Sequence, residues 1–252
     1  MSLADLPPGQ HADRVRNHWW WRPGWRVGRR FYAFHVTFEN QPELYRLADS
    51  YRSALGTAPA LTLIPDRWLH LTMQGIGFTD EVADDTLAAI IDEARGRLAR
   101  LSPVDVQFGE VVVADEAIVM PATPAEAVNR LRTTTRAAVG QILGDANVPE
   151  DSHRFRPHVS VAYLTTEGPA EPYVRAVAVT EPMAAAVRIT HVDVIDMHRD
   201  RQMYEWSPIA RLPLLGPAHS NTSAIPTEET QMTQTAIRAD VNGLDYEMPV
   251  ED

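Results

Sequence analysis

The chain has 252 residues, 44% of them hydrophobic and 23% charged, and a formal net charge of −11. It contains no cysteine and no lysine, so all 23 basic residues are arginines. Their absence excludes disulfides, thiolate nucleophiles, Cys-ligated zinc and iron–sulfur sites, Schiff bases, Ser-Lys dyads and ligation through adenylated lysine.

Histidine, carboxylate, hydroxyl and bound metal remain for catalysis. The length suits one large domain or two small lobes. No run of 18 apolar residues and no signal-peptide pattern occurs, so the expectation is a cytoplasmic protein with no membrane partner. Charge is uneven: residues 1–34 carry a net +4, residues 35–212 a net −9, and residues 213–252 a net −6. An acidic body lacks the basic stripe that long duplex nucleic acid requires, and still admits a small phosphate held by a few arginines.

Residues 1–30 form an arm rich in Trp and Arg, with His18-Trp19-Trp20-Trp21-Arg22-Pro23-Gly24-Trp25-Arg26 at its centre. Four tryptophans at this density suit a lid packed on the domain, and with arginine between them they also suit stacking on bases. The body, residues 31–212, alternates strands and helices. Phe31–Phe38 has the period of a strand. Asn40 is placed to cap a helix to about Leu55, with Leu44, Leu47, Ala48 and Tyr51 on one face and Gly56 ending it. Ala60–Ile64 reads as a short strand, Pro65-Asp66-Arg67 as a turn, and Trp68–Ile76 as another strand. A helix over about 80–100 has Val82, Leu87, Ile90, Ile91, Ala94 and Leu98 as its apolar stripe.

The second half opens on a hairpin, Val104–Val113 with Ala117–Met120. Thr123-Pro124-Ala125-Glu126 predicts a capping box and a helix running to Gly144. The strand Phe155–Leu164 follows, then a short helix near 171–178 and strands at about 185–196 and 203–212. Each half thus places a long helix, a turn and then a histidine-bearing strand, a weak internal repeat. Residues 213–252 read as an acidic, disordered tail, in which Gly243-Leu244-Asp245-Tyr246-Glu247-Met248 is a candidate docking peptide for a protein partner.

The chemistry gathers on two strands. His70-Leu71-Thr72-Met73 and His158-Val159-Ser160-Val161 share the pattern His-x-(Thr/Ser)-apolar. Side chains alternate along a strand, so Leu69, Leu71 and Met73 face a core while Trp68, His70, Thr72 and Gln74 face outward. On the second strand Val159, Val161 and Tyr163 face the core, and Arg156, His158 and Ser160 face outward. Opening a cyclic phosphodiester with water needs a base for the water and an acid for the leaving oxygen. Two histidines on opposite sides of the phosphorus meet both needs near neutral pH without a metal. Thr72 and Ser160 hydroxyls suit the non-bridging oxygens, and Arg156 suits the developing charge. A third match, His35-Val36-Thr37-Phe38, lacks the preceding helix and turn, so His35 reads as a neighbour of the site or a buried hydrogen-bonding residue.

Trp68-Leu69-His70-Leu71-Thr72-Met73 with Gly77, and Phe155-Arg156-Pro157-His158-Val159-Ser160-Val161, resemble the paired motifs of the 2H phosphoesterase superfamily, especially its 2′-5′ RNA ligase-like branch. The resemblance spans about residues 31–212. It implies an α+β, bilobal fold: two pseudo-repeated lobes of antiparallel sheet with outer helices around a central cleft. It implies cofactor-free, metal-independent chemistry on a nucleotide or RNA-terminal 2′,3′-cyclic phosphate, with His70 and His158 catalytic and Thr72 and Ser160 binding phosphate. The chain departs from the family where Gln74 and Gly75 replace an arginine and a bulky apolar residue, and where Tyr163 replaces an arginine. Two other readings stay open on the residues alone. One is a metal hydrolase using His191, Asp193, Asp196, His198 and Asp200; the other is a non-catalytic module holding a nucleotide phosphate in the same cleft. No Gly-x-Ser-x-Gly elbow supports a serine hydrolase.

Overall fold

The computed structural model describes residues 3–150 and 155–216, and the described residues belong to one compact unit. Twelve strands occur among them: β1 Arg14–Val15, β2 Phe31–Thr37, β3 Leu61–Leu63, β4 His70–Phe78, β5 Val104–Phe108, β6 Val112–Val113, β7 Ala117–Pro121, β8 His158–Leu164, β9 Gly168–Pro169, β10 Ala185–Ile189, β11 His191–His198 and β12 Glu205–Pro213. The helices are α1 Pro42–Leu55, α2 Asp84–Leu98, α3 Ala125–Leu143 and α4 Glu171–Ala178.

Two four-stranded sheets form the lobes, in the orders β12-β11-β2-β4 and β3-β8-β7-β6, and every pairing in them is antiparallel. Helices α2 and α3 pack on each other and on the first sheet, against β12 and β4; α1 packs against β8, β10 and α4. The result is the α+β, two-lobed architecture that the family resemblance implies. Each lobe contributes one histidine strand, β4 or β8.

The helices bury the faces their periods mark: Leu44, Leu47, Ala48, Tyr51 and Leu55 on α1, and Leu87, Ile90, Ala94 and Leu98 on α2. Their starts differ from expectation. Asn40 sits at φ 54, Gln41 is the N-cap residue of α1, and neither it nor any other cap side chain closes that end. Nor does Thr123 form a capping box, since Pro124 is the N-cap of α3 and the Thr123 backbone is bound elsewhere. Its N–H and carbonyl exchange hydrogen bonds with Gln107 at 3.0 and 2.7 Å.

Other boundaries move for similar reasons. The expected strand 104–113 breaks at Gly109-Glu110, so β5 pairs with β10 while β6 pairs with β7. The strand expected over 185–196 divides at Thr190 into β10 and β11, which join different sheets. Strand β8 starts at His158 and not at Phe155, because Pro157 has no N–H to give the ladder.

The body extends to Gly216, where Leu214 N–H bonds the Thr190 carbonyl and Gly216 N–H bonds that of Leu101. The remainder of the expected tail, with its docking peptide, lies outside the described residues. Among the described residues no helix is long and apolar enough to cross a membrane.

The two histidine strands share an irregularity. Opposite β2, Thr72 pairs with His35 and Gln74 with Phe34, so Met73 has no partner. Opposite β7, Ser160 pairs with Val119 and Ala162 with Ile118, so Val161 has none. Each strand therefore bulges three residues after its histidine, and a bulge exchanges the two faces beyond it. Gln74 consequently turns inward, fully buried, and gives its amide N–H to the Pro149 carbonyl at 2.7 Å. Tyr163 stays buried, at 4% exposure, and lines the cavity beside His158 and Ser160.

Candidate active site

His70 and Thr72 from β4, and His158 and Ser160 from β8, line one cavity of about 370 Å³. The rule of alternation explains why they share it: each histidine and its hydroxyl are two residues apart, ahead of the bulge. The opposite faces carry Leu69, Leu71, Val159 and Val161, all buried at 1% exposure or less. The core thus holds both strands while their polar edges meet.

The two imidazoles are held alike. His70 Nδ1 lies 2.9 Å from the Trp68 carbonyl, and His158 Nδ1 lies 2.7 Å from the Arg156 carbonyl. A carbonyl oxygen can only accept, so Nδ1 carries the proton and Nε2 is left to exchange one. In both cases the acceptor is two residues before the histidine. The motif therefore encodes the ring's tautomer as well as its position.

His35 lies beneath His70, with ring centroids 4.5 Å apart and planes 2° from parallel. It is 1% exposed and neither ring nitrogen has a hydrogen-bond partner in the structure. It neighbours the site and packs there, without the hydrogen bond expected as one alternative.

Arg156 is placed differently from the expectation. Its side chain is exposed and does not line the cavity; its carbonyl, holding His158, is what reaches the site. The alternation that put Arg156 in phase with His158 requires a continuous strand, and Pro157 ends it. Among the described residues, the arginine that does line the cavity is Arg22, from the Trp-rich arm, together with His18 and Trp25. His18 stacks on Tyr163 at 4.2 Å, and its Nε2 is 3.1 Å from the Tyr204 hydroxyl. His18, Arg22, Tyr163 and Tyr204 were not in the sequence-derived site. The density of Trp and Arg around His18 marked the arm, but nothing in composition marked Tyr204, which reaches the cavity from just before β12.

The acidic cluster at 191–200 is taken up in side-chain pairing. Asp193 binds Arg211, Asp196 binds Arg30 at 2.7 Å, and His198 lies 3.7 Å from Asp200. Among the described residues, no three His, Asp or Glu side chains are grouped as a metal site.

Comparison with known proteins identifies the family and the fold. The family model described as the 2′-5′ RNA ligase superfamily matches residues 40–201, more than half of the chain. The chain belongs to the 2′-5′ RNA ligase superfamily. Among solved structures, similar folds include TT0787 of Thermus thermophilus, at 20% identity and a TM-score of 0.58, covering 75% of this chain and 98% of that one. E. coli LigT in complex with 3′-AMP superposes with a TM-score of 0.52 at 14% identity, covering 74% of this chain and 98% of that one. A structure described as a phosphoesterase gives a TM-score of 0.54 at 14% identity, covering 73% and 98%. These identities establish a shared fold. No curated protein matches the chain in sequence.

Burial sets the protonation of the cavity's histidines. It lowers His70 to about 4, against the Trp68 carbonyl bond, with His158 and His18 nearby lowering it further. It lowers His158, opposed by the Arg156 carbonyl, and it lowers His18 to about 4 despite the Glu116 carboxylate. His35 falls well below the usual range by burial and then by its proximity to His70. All four are neutral in the fold at pH 7. Because their folded pKa values lie below the unfolded value of about 6.5, the unfolded chain binds more protons as pH falls. The contribution of His70 and His18 is complete above about pH 6.5 and declines as pH falls toward 4, by up to about 1.4 kcal/mol per pH unit for each, and His158 and His35 act in the same direction. Urea unfolding at pH 7, 6 and 5 should show a falling midpoint; a midpoint flat across that range would contradict this account of the burial.

Proposed function

We propose that the chain is a metal-independent phosphoesterase that hydrolyses a 2′,3′-cyclic or closely related nucleotide or RNA phosphodiester by paired-histidine acid–base catalysis. The observation that carries the reading is the matched pair of imidazoles in one cavity, each with Nδ1 held by a carbonyl and Nε2 left for proton transfer. One neutral Nε2 takes a proton from water as the water oxygen attacks phosphorus. The bond from phosphorus to one ribose oxygen breaks, and the protonated Nε2 of the other histidine gives its proton to that oxygen. The product is a phosphomonoester, and solvent exchange restores the protonation states. Thr72 and Ser160 donate to the non-bridging oxygens, whose charge grows in the transition state. A joining reaction, in a chain without lysine, runs only as the reverse of this cleavage.

The pH dependence follows from the lowered histidines. In the free enzyme the acid must be protonated although burial holds it below about 6.5, so kcat/KM falls up to about tenfold per unit as pH rises above that value. Bound anionic phosphate favours the imidazolium, which displaces the corresponding limb of kcat to higher pH. The test supplies nucleoside 2′,3′-cyclic phosphate, and a short RNA ending in one, with chelator present across pH 5 to 8. Turnover with that profile supports the proposal. Binding without turnover would identify a phosphate-holding module instead, and turnover lost only to chelator would identify a metal hydrolase.

A further inference from the structure

The cavity is poor in positive charge. Among the described residues lining it, Arg22 is the one arginine, while Asp115, Glu116 and Glu150 bring carboxylates to its wall. An anionic substrate entering such a site meets repulsion unless those carboxylates are matched. The arm matches two of them. Arg16 Nε lies 3.1 Å from Asp115 and 3.2 Å from Glu116, and Arg22 Nη2 donates to Glu116 at 2.6 Å.

Glu116, in the turn between β6 and β7, is the anchor for this segment. Besides both arginines it accepts from Trp20 Nε1 at 3.0 Å and lies 3.4 Å from His18 Nδ1. Its carboxyl is pushed up by burial, but His18, Arg22 and Trp20 outweigh that and bring it down to about 2. The other side of Arg22 is fixed by Nη1 donating to the Tyr204 hydroxyl at 3.2 Å. The guanidinium is thereby clamped at two nitrogens in the cavity wall, with two of its five N–H donors used. A pre-oriented fork with donors to spare suits a phosphate better than a free surface arginine does.

We infer that Arg22 is the phosphate-binding cation of this site, delivered by the N-terminal arm and held in position by Glu116. The inference rests on the phosphoesterase reading for the nature of the ligand. It lies outside what the family model covers, since that match begins at residue 40. Arg22 contacts the non-bridging oxygens as negative charge accumulates on them, and Glu116 acts through Arg22 as a positioning residue.

The test measures binding of a nucleoside 3′-monophosphate and of the matching nucleoside by calorimetry, and turnover of the 2′,3′-cyclic nucleotide, for the full chain and its Arg22→Gln, Arg22→Lys and Arg156→Gln variants. Arg22→Gln should weaken the nucleotide by about 30-fold or more, leave the nucleoside within about twofold, and lower kcat/KM about 100-fold. Arg22→Lys should recover part of both losses by restoring the charge without the fork. Equal weakening of nucleotide and nucleoside would reduce Arg22 to a structural clamp and overturn the inference. So would an unaffected Arg22→Gln, or a loss carried by Arg156→Gln instead. Wild-type protein that binds nucleotide through Arg22 yet turns over no cyclic phosphate removes the hydrolase reading and leaves this one. Undiminished turnover by Arg22→Gln does the reverse.

Discussion

Alanine at His70 or at His158 is expected to lower kcat for cyclic-phosphate hydrolysis by about 1,000-fold, within the 10²–10⁴ range of a single acid–base contribution. Each variant removes one of two proton transfers in the same step, so the double variant should lose little more than the worse single one. Glutamine is the sharper probe, because its amide can occupy much of the ring's volume while transferring no proton. His70→Gln and His158→Gln should therefore remain as inactive as the alanines while melting closer to wild type. Thr72→Val and Ser160→Ala remove only a donor to phosphate and should cost about 100-fold, the lower end of a single oxyanion-donor loss. Steady-state rates with matched thermal melts decide the matter. A folded histidine variant within tenfold of wild type would sink the paired mechanism.

The legible parts of the molecule were those that repeat a period. The α1 stripe of Leu44, Leu47, Ala48 and Tyr51 is buried as spaced, and the His70 and His158 strands face one cavity because each histidine and hydroxyl lie two residues apart. What escaped was whatever interrupts a period. A bulge carries no compositional mark, so nothing in Met73 or Val161 announced that Gln74 would turn into the core or that Tyr163 would line the cavity. Pro157 was visible, but its effect on the phase of Arg156 needed the strand pairing to settle where the ladder begins. Long-range contacts were out of reach altogether. Arg22 reaches the cavity only because Glu116, 94 positions later, and Tyr204, 182 positions later, fold against it.

Asp193 illustrates the same limit and gives the second large effect. In sequence it belongs with His191, Asp196 and His198 as a candidate metal ligand. In the fold it sits on β11 between its neighbours Arg211 on β12 and His35 on β2, at 2% exposure. Its oxygens accept from Arg211 Nε at 2.9 Å and Nη2 at 3.1 Å, and from the Thr37 hydroxyl, with His191 Nε2 at 3.5 Å. Burial raises its carboxyl, but His191, Arg211 and Thr37 outweigh it and bring the group to about 2. Removing one partner of a buried pair costs about 3–5 kcal/mol when the other is stranded; Arg211 is half-exposed and can turn to water, so Asp193→Ala should cost about 2–4 kcal/mol. Asp193→Asn keeps the shape, loses the charge and should cost less. A carboxylate depressed in the fold stabilises above its unfolded pKa, near 3.9, and loses that contribution as pH falls toward the folded value. The gap between wild type and Asp193→Asn should therefore be steady from pH 7 to 5 and narrow below pH 4. Denaturant unfolding over that range measures it, alongside cyclic-phosphate turnover, which a purely structural role leaves within a few-fold of wild type in Asp193→Asn. Unchanged stability with activity abolished, and wild-type activity lost to chelator, would return Asp193 to the role of a metal ligand.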